Sequence, residues 1–311
     1  MKKEEANTSS HTLFFDVTGE HEGLSLKEIL YDHMKLSSRL VRKLKRNKGI
    51  FVNGNRIPFH AKMRTGDRIQ LIMEEEANQF EAEDIPIQVI YEDMDLLIIN
   101  KEPGIVVHPT KGHPNGTMAN AIVHYMQKKG EIFKIRFVNR LDRDTSGLII
   151  VAKNSHTQQV LSKQMQKNQI QKQYIAIVEG MIAEDRGTID EPIGRPDPED
   201  IRRKVCPEGQ PSVTHYEVLS RFGKKATLIR VFLETGRTHQ IRVHMEHIGH
   251  PLLGDALYGS KEKMLIGRQA LHAEFLSFTH PRTEERIAVR APMPFDMQEA
   301  IKKLSVFAEK I

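Results

Sequence analysis

Hydrophobic and polar positions in residues 13–75 follow helical spacing first and strand alternation later. Apolar residues recur three and four apart in Ser25–Met34, which predicts a helix with one buried face. A second helix is predicted to begin at an N-cap, Ser37 or Ser38, and to end with Gly49 as its C-cap. Two short helices this close together indicate a small domain at the start of the chain.

Strand patterns follow the second helix. Ile50–Ile57 contains the turn dipeptide Asn53-Gly54 between apolar residues, which predicts a β-hairpin. The alternation in Arg68–Leu71 predicts a half-buried strand. We therefore expect a small α+β domain over residues 13–75, preceded by a disordered segment, residues 1–12, and followed by an acidic linker, residues 76–84.

Residues 85–311 contain many short apolar segments that do not alternate regularly with helices. The predicted strands are Gln88–Tyr91, Leu96–Asn100, Phe137–Leu141, Gly147–Lys153, Tyr174–Gly180, Ser212–Ser220 and Ala226–Glu234. The predicted helices are Thr117–Lys128, Asn154–Asn168 and His239–Ile248. A doubly wound parallel sheet requires regular alternation, so we expect an α+β domain with a mixed, mostly antiparallel sheet and flanking helices.

Composition excludes several classes of protein. Uninterrupted apolar runs reach only five residues, as in Leu148–Ala152, whereas a membrane span needs about 18 or more. The polar start of the chain has no apolar signal core. The single cysteine, Cys206, excludes an internal disulfide and a cysteine-cluster zinc site. We expect a monomeric cytoplasmic protein without a metal or a membrane partner.

Charge is distributed unevenly along the chain, although the net charge is only +5. Ten basic residues and one acidic residue lie between Leu36 and Gln70. Such a block predicts a nucleic-acid interface, and the alternative is a solvated helix face. The candidate RNA-binding residues on the second helix are Arg39, Arg42, Lys43 and Arg46.

The densest chemical signal is the polar segment before the strand Gly147–Lys153. Asp142 and Asp144 lie there among Arg140 and Arg143. A carboxylate beside arginines stays ionised and can act as a nucleophile. The alternative from these residues alone is a salt-bridge network within the loop.

A second signal lies in Thr235–His244. Thr238 can cap the helix that follows, and His239 and Arg242 are three residues apart and share a helix face. A helix N-terminus with these side chains suits an anion, and an ordinary polar helix start is the alternative. His244 and His247 have chelating spacing, but no HExxH or helical carboxylate completes a zinc site.

The chain resembles two known families in separate parts. Residues 13–73 resemble the αL-type RNA-binding domain, often called the S-four domain. The segments that carry this resemblance are Leu40–Leu44, Ile50–Gly54 and Lys62–Asp67. Residues 85–294 strongly resemble the RluA family of RNA pseudouridine synthases. Six blocks match it in order: Asn100–Gly104 with His108-Pro109, Arg140–Asp142 with Thr145–Leu148, Lys172–Ala176, Thr235–His244, Ile248–Asp255, and Leu271–Ala273 with Phe278.

This resemblance implies cofactor-free isomerisation of uridine to pseudouridine within RNA. Asp142 matches the catalytic carboxylate, and Arg242 matches the arginine that pairs with it, for which we expect two parallel hydrogen bonds. Tyr174 matches a tyrosine that lies against the uracil and is a candidate for handling the C5 proton. Arg140 matches a residue that enters the RNA stack when the target base is extruded, and Leu271 is expected to line the uracil pocket.

One departure from the family pattern is Asn139, which replaces the usual histidine before Arg140. Large-subunit ribosomal RNA is the expected substrate, with transfer RNA as the alternative. Two rival functions are a non-catalytic RNA-binding protein and a metal-dependent nuclease. The presence of Asp142 argues against the first, and the second requires a carboxylate and histidine cluster.

Overall fold

The structure, a computed structural model, describes residues 12–73, 78–110, 112–197, 199–261 and 264–308. Its N-terminal domain consists of β1 (Thr12–Asp16), α1 (Leu26–Glu28) continued by a π-helical turn (Ile29–His33), α2 (Ser38–Arg46), β2 (Ile50–Val52) and β3 (Arg68–Ile72). The three strands form an antiparallel sheet in the order β1-β3-β2. Thr12 therefore begins a strand, and the disorder predicted for the preceding residues lies outside the described residues.

The second predicted helix, α2, begins where its cap signal predicts. The hydroxyl of Ser37 accepts a hydrogen bond from the Leu40 amide at 3.2 Å. The prediction of Gly49 as C-cap is wrong, because α2 ends at Arg46 with Asn47 as its C-cap, and the left-handed residue is Lys48 (φ 55°). Gly49 instead allows a close approach, since a Cβ there would lie 2.3 Å from the carbonyl oxygen of Ile72.

The predicted hairpin forms its turn but not its return strand. Asn53 (φ 48°) and Gly54 (φ 77°) both adopt the left-handed conformation that such a turn requires. The Asn53 side chain bonds the Asp67 carboxylate and the Arg68 amide, so the turn is attached to β3. As a result β2 pairs along its length with β3, and its pairing with the predicted return strand is limited to one bridge between Val52 and Asn55.

The C-terminal domain contains a ten-stranded mixed sheet and four α-helices among the described residues. Its strands are β4 (Gln88–Glu92), β5 (Leu96–Lys101), β6 (Arg136–Phe137), β7 (Ser146–Ala152), β8 (Gln171–Glu179), β9 (Arg186–Asp190), β12 (Val213–Phe222), β13 (Ala226–Leu233), β14 (Leu271–Thr279) and β15 (Arg286–Arg290), with a separate pair β10 (Ile193–Gly194) and β11 (Lys204–Val205). The helices are α3 (Met118–Lys129), α4 (Ser155–Gln166), α5 (Gln240–His247) and α6 (Phe295–Ala308). The expected fold class is confirmed.

Strand order places the site. The main path is β4-β5-β7-β14-β8-β13-β12-β9, and β7–β14 is the parallel pair in this otherwise antiparallel sheet. At that junction Ala273 pairs with Gly147 on one side and Tyr174 on the other. A Cβ on Gly147 (φ 114°) would lie 2.3 Å from the Ala273 carbonyl oxygen, so only glycine permits this contact.

The predicted acidic linker is not a free linker over residues 78–84. The Asn78 side chain donates to the Phe133 carbonyl and accepts from the Ile135 amide. Phe80 and Ala82 pack against the apolar cluster beneath α3. Residues 78–84 therefore belong to the C-terminal domain, while residues 76–77 lie outside the described residues.

Polar contacts join the two domains. The carbonyl of Lys35 accepts hydrogen bonds from Gln159 and Lys163 on α4. The Arg282 guanidinium holds the buried Asp95 carboxylate through two nitrogens and donates its third to the Thr12 carbonyl at 3.0 Å. Across the described residues, no helix combines the length and apolar character that a bilayer span requires.

Candidate active site

The residues predicted to carry chemistry converge at the β7–β14–β8 junction. Asp142, Tyr174, Arg242, Leu271 and Arg140 all line one inner pocket of about 70 Å³. Three of these residues, Asp142, Tyr174 and Arg140, also line a larger cleft of about 830 Å³. A small recess therefore adjoins a much larger cleft.

A single guanidinium joins two carboxylates in this pocket. Nη1 of Arg242 donates to Oδ2 of Asp142 at 3.0 Å. Its Nε and Nη2 hold Asp255 at 2.6 and 2.9 Å. The expected two-bond pairing of Arg242 is thus made with Asp255, and Asp142 receives one bond.

Burial and charge act in opposite directions on Arg242. Desolvation disfavours the charged guanidinium, but hydrogen bonds and charge from Asp255, with a smaller contribution from Asp142, outweigh it and raise the pKa of Arg242. Asp255 is 1% exposed and Asp142 is 29% exposed. The buried carboxylate therefore fixes the cation, and the cation presents its remaining N–H to the carboxylate that faces the cleft.

Tyr174 and Leu271 supply the apolar side of the pocket. Leu271 is buried at the start of β14, and Tyr174 is partly buried next to it on β8. Desolvation, together with the charge of Asp142, raises the pKa of Tyr174 to about 12. The phenol is therefore protonated at neutral pH.

Two buried cations outside the predicted set hold the loop that carries Asp142. The Lys101 ammonium is fully buried and donates to three carbonyls, those of Glu102, Ile105 and Arg143. From the other side, Arg268 donates to the Asp144 carbonyl at 3.0 Å. The two cations hold consecutive peptide carbonyls of the loop, and the sequence signal for Lys101 was its place in the matched block Asn100–Gly104.

Arg268 also joins this loop to the C-terminal helix. Its Nε and Nη2 hold both oxygens of Asp296, near the start of α6. Its Nη1 further approaches the Leu271 carbonyl. One side chain therefore positions the loop that carries Asp142 against both the first residue of β14 and α6.

Replacing Lys101 by Met is expected to lower the free energy of unfolding by about 2–4 kcal/mol, because buried carbonyls lose their donor. Urea unfolding measures this loss. Lys128→Met, at an exposed lysine paired with Asp84, is the matched control and should change stability by less than about 0.5 kcal/mol.

The difference in stability between wild type and Lys101→Met should depend on pH. Desolvation lowers the pKa of Lys101 to about 7 in the folded state, below its unfolded value. Between these values the unfolded chain binds more protons, so this group makes wild-type stability rise with pH. The advantage of wild type over Lys101→Met should grow from pH 7 to 9, and a constant difference would contradict the burial of a titrating amine.

Residues around the pocket that were predicted from local patterns have different roles. Thr238 does not cap α5: its hydroxyl accepts from Arg140 at 2.9 Å, and His239 occupies the cap position. Asp144 is held by its neighbour Arg143 at 2.9 Å. Asn139 bonds the backbone of β7 at Leu148 and Ile150, so it extends the strand pairing with its side chain.

The remaining histidine signal is structural. Both ring nitrogens of the buried His244 are engaged, by the Thr214 hydroxyl and the Glu191 carbonyl. Among the described residues, one cluster has ligand geometry, Asp93 with Asp95 and His280, and Arg282 occupies the carboxylate of Asp95. No metal site follows from either group.

The predicted RNA-binding residues of α2 fall on two faces. Arg39, Arg42 and Arg46 are exposed. Lys43 lines the groove between the two domains, with Arg136 and Lys153 of the C-terminal domain. The structure therefore separates Lys43 from the three arginines.

Comparison with known proteins finds matches to both parts of the chain. Residues 95–247 match the family model for RNA pseudouridylate synthase, and residues 13–69 match the RluD ribosomal pseudouridine synthase N-terminal domain. The uncharacterized RNA pseudouridine synthase YjbO of Bacillus subtilis is 42% identical over 270 residues, 86% of this chain and 95% of that protein. Ribosomal large subunit pseudouridine synthase D of Haemophilus ducreyi is 38% identical over 317 residues, 96% of each chain.

A solved structure with a similar fold is also named as an RNA pseudouridylate synthase protein. Human RNA pseudouridylate synthase domain containing 1 has a TM-score of 0.58 and 28% identity, covering 69% of this chain and 86% of that one. The two curated relatives cover 86% and 96% of this chain. The chain belongs to the RluA family of RNA pseudouridine synthases, which are isomerases.

Proposed function

We propose that the protein converts uridine to pseudouridine in large-subunit ribosomal RNA, with Asp142 as the catalytic carboxylate. The observation that carries the proposal is the paired carboxylate at the mouth of the inner pocket: Asp142 is partly exposed, held by Arg242 at 3.0 Å, and next to Tyr174 and Leu271. The named function of the Haemophilus ducreyi relative supports the choice of ribosomal RNA. We further propose that the protein acts in the cytoplasm as a monomer.

The reaction conserves all atoms of the nucleotide. The N1–C1′ bond breaks, the uracil turns within the pocket, C5 bonds to C1′, and the C5 proton is lost while N1 gains one. Asp142 either attacks C1′ or takes a 2′ proton to form a glycal, and both routes need an ionised, aimed carboxylate. Because the uracil stays bound, the reaction does not need the second carboxylate that glycosidases use.

The other pocket residues divide the remaining tasks. Leu271 and the Tyr174 ring offer apolar surfaces to a flat base. The phenol of Tyr174 is protonated at neutral pH, so its first role is to pack against the base. It could accept the C5 proton only by giving up its own hydroxyl proton. Arg140 lies in both the pocket and the cleft, where its planar guanidinium can replace the extruded base in the RNA stack.

In this proposal the N-terminal domain increases the affinity for RNA by contacting its phosphate backbone. Replacing Arg39, Arg42 and Arg46 together by Gln should weaken RNA binding and make the slope of log K against log salt shallower by about 2, because three phosphate contacts are lost. Filter binding across a salt series measures it. Substituting the exposed Lys128, Lys302 and Lys303 by Gln is the charge-matched control, and equal slopes for the two triple variants would identify α2 as a solvated face.

The experiment that tests the function incubates the purified protein with large-subunit ribosomal RNA or transfer RNA transcripts labelled with tritium at C5 of uridine. Pseudouridine formation releases the label to water. Release from the ribosomal transcript, in the presence of EDTA, is the expected result. Release from transfer RNA alone would reassign the substrate, strand cleavage would favour a nuclease, and binding without release would favour a non-catalytic RNA-binding protein.

A further inference from the structure

A histidine in a strained backbone conformation lies beside the proposed catalytic carboxylate. His239 has φ 59° and ψ 19°, the left-handed region that non-glycine residues rarely occupy. The neighbouring Gln240 side chain holds this turn by accepting from the Thr235 hydroxyl and the Arg237 amide, at 2.8 and 2.9 Å. Strain retained by surrounding bonds is typical of residues whose side chains must point to one place.

The imidazole has one partner on each side. Its Nε2 lies 3.7 Å from Oδ2 of Asp142, the same oxygen that Arg242 binds. Its Nδ1 lies 2.9 Å from the hydroxyl of Tyr258. Desolvation lowers the pKa of His239, so the ring is neutral at neutral pH and carries one proton.

The hydrogen bonds of Tyr258 determine which nitrogen carries that proton. Its hydroxyl accepts from the backbone amide of Arg203 at 2.8 Å, which leaves its own proton free to point at Nδ1 of His239. Nδ1 is then the acceptor, and Nε2 carries the hydrogen. A carboxylate only accepts, so an Nε2–H facing Asp142 is also the tautomer that the carboxylate favours.

Tyr258 supports both groups that face Asp142. The Arg242 guanidinium carbon lies 4.9 Å from its ring centroid, and the His239 ring meets it edge to face at 5.6 Å. The Tyr258 backbone amide also bonds Asp255. One aromatic residue therefore holds the cation by its face and the imidazole by its hydroxyl.

We propose that His239 is a positioning residue for Asp142 and that the Tyr258 hydroxyl sets its tautomer. Nη1–H of Arg242 hydrogen-bonds Oδ2 at 3.0 Å and Nε2–H of His239 faces the same oxygen at 3.7 Å, so the two groups orient the carboxylate and leave Oδ1 for the sugar. The inference rests on the proposed role of Asp142. It adds that the aim of this carboxylate depends on the imidazole tautomer as well as on the arginine.

The test uses Tyr258→Phe, which keeps the ring beneath Arg242 and removes only the hydroxyl. The kcat for pseudouridine formation should fall about tenfold, the value of one hydrogen bond, with KM changed less than about twofold. In ¹⁵N-histidine spectra wild-type His239 should show the Nε2–H pattern, and in Tyr258→Phe the Nδ1–H tautomer should become clearly populated, because Asp142 at 3.7 Å favours Nε2–H only weakly. Tyr125→Phe, which loses a hydroxyl bond to Glu92 away from the site, is the matched control and should change neither.

A double variant separates positioning from a merely structural role. Asn tolerates the left-handed conformation, so His239→Asn keeps the turn while removing the imidazole. Tyr258→Phe should then cost less than about twofold in kcat, because its effect passes through His239. An unchanged tautomer in Tyr258→Phe, or an equal loss in both backgrounds, would overturn the proposal. The tautomer is read without turnover, so it is independent of whether Asp142 is catalytic.

Discussion

Asp142→Asn is expected to lower the kcat for pseudouridine formation by at least about 10⁴-fold, which corresponds to about 5.4 kcal/mol of barrier. The amide keeps the shape of the side chain and can still contact Arg242, but it loses the charge and the nucleophilicity that either route requires. RNA affinity and melting temperature should stay near wild type, since Asp142 is partly exposed and Arg242 keeps its two bonds to Asp255. Single-turnover assays with the tritiated transcript measure the chemical step.

Asp144→Asn is the matched control for this variant. Asp144 lies two residues along the same loop and pairs with Arg143 outside the inner pocket. It should retain kcat within about threefold, because an exposed ion pair contributes little. Equal losses in the two variants would mean that the loop needs its negative charge for folding or RNA contact, and that Asp142 has no special role.

Arg242→Lys is expected to lower kcat by about ten- to a thousandfold, or about 1.4–4 kcal/mol of barrier. This loss is expected because the Arg242 guanidinium serves two carboxylates: it binds Asp255 with two nitrogens and Asp142 with the third. An ammonium cannot reproduce this planar set of donors. The lysine should stay with the buried Asp255, where an unpaired charge costs most, and release Asp142.

Separate measurements of kcat and RNA affinity distinguish an Arg242 that orients Asp142 from an Arg242 that binds an RNA phosphate. Arg242→Lys should leave RNA affinity within about threefold, and Arg186→Lys, at an exposed arginine paired with Glu217, should change neither quantity. A variant that bound RNA weakly but kept its kcat would place Arg242 on the RNA backbone. Because Asp255 is 1% exposed, a lower melting temperature should accompany the loss of kcat.

The sequence indicated which residues meet in this pocket better than how they are joined. Asp142 and Arg242 lie in dense local motifs, but those patterns alone left a loop salt-bridge network and an ordinary helix start open, and their proposed roles came from the family resemblance. Which carboxylate receives two bonds from Arg242 depends on where Asp255 comes in space, and no spacing along the chain specifies that. The burial of Lys101 beneath three carbonyls is likewise not predictable from spacing along the chain, because it arises only when two loops meet.

The fold was predicted where elements carry their own signals. The Ser37 cap and the strand after Gly147 have clear local patterns, whereas β14 was not predicted although Leu271, Ala273 and Phe275 alternate with polar residues as in a strand. That strand nonetheless joins β7 to β8 and brings Leu271 to Tyr174. Gly49 shows the opposite error: a pattern typical of a helix end instead reflects a close backbone approach from β3.

The most direct test of the central claim is site-resolved mapping of pseudouridine in large-subunit ribosomal RNA from cells that lack the gene. At least one uridine should lose its modification, regain it with the wild-type or Asp144→Asn gene, and remain unmodified with Asp142→Asn. Restoration by Asp142→Asn, or a ribosomal RNA in which no position changes on deletion, would contradict the account.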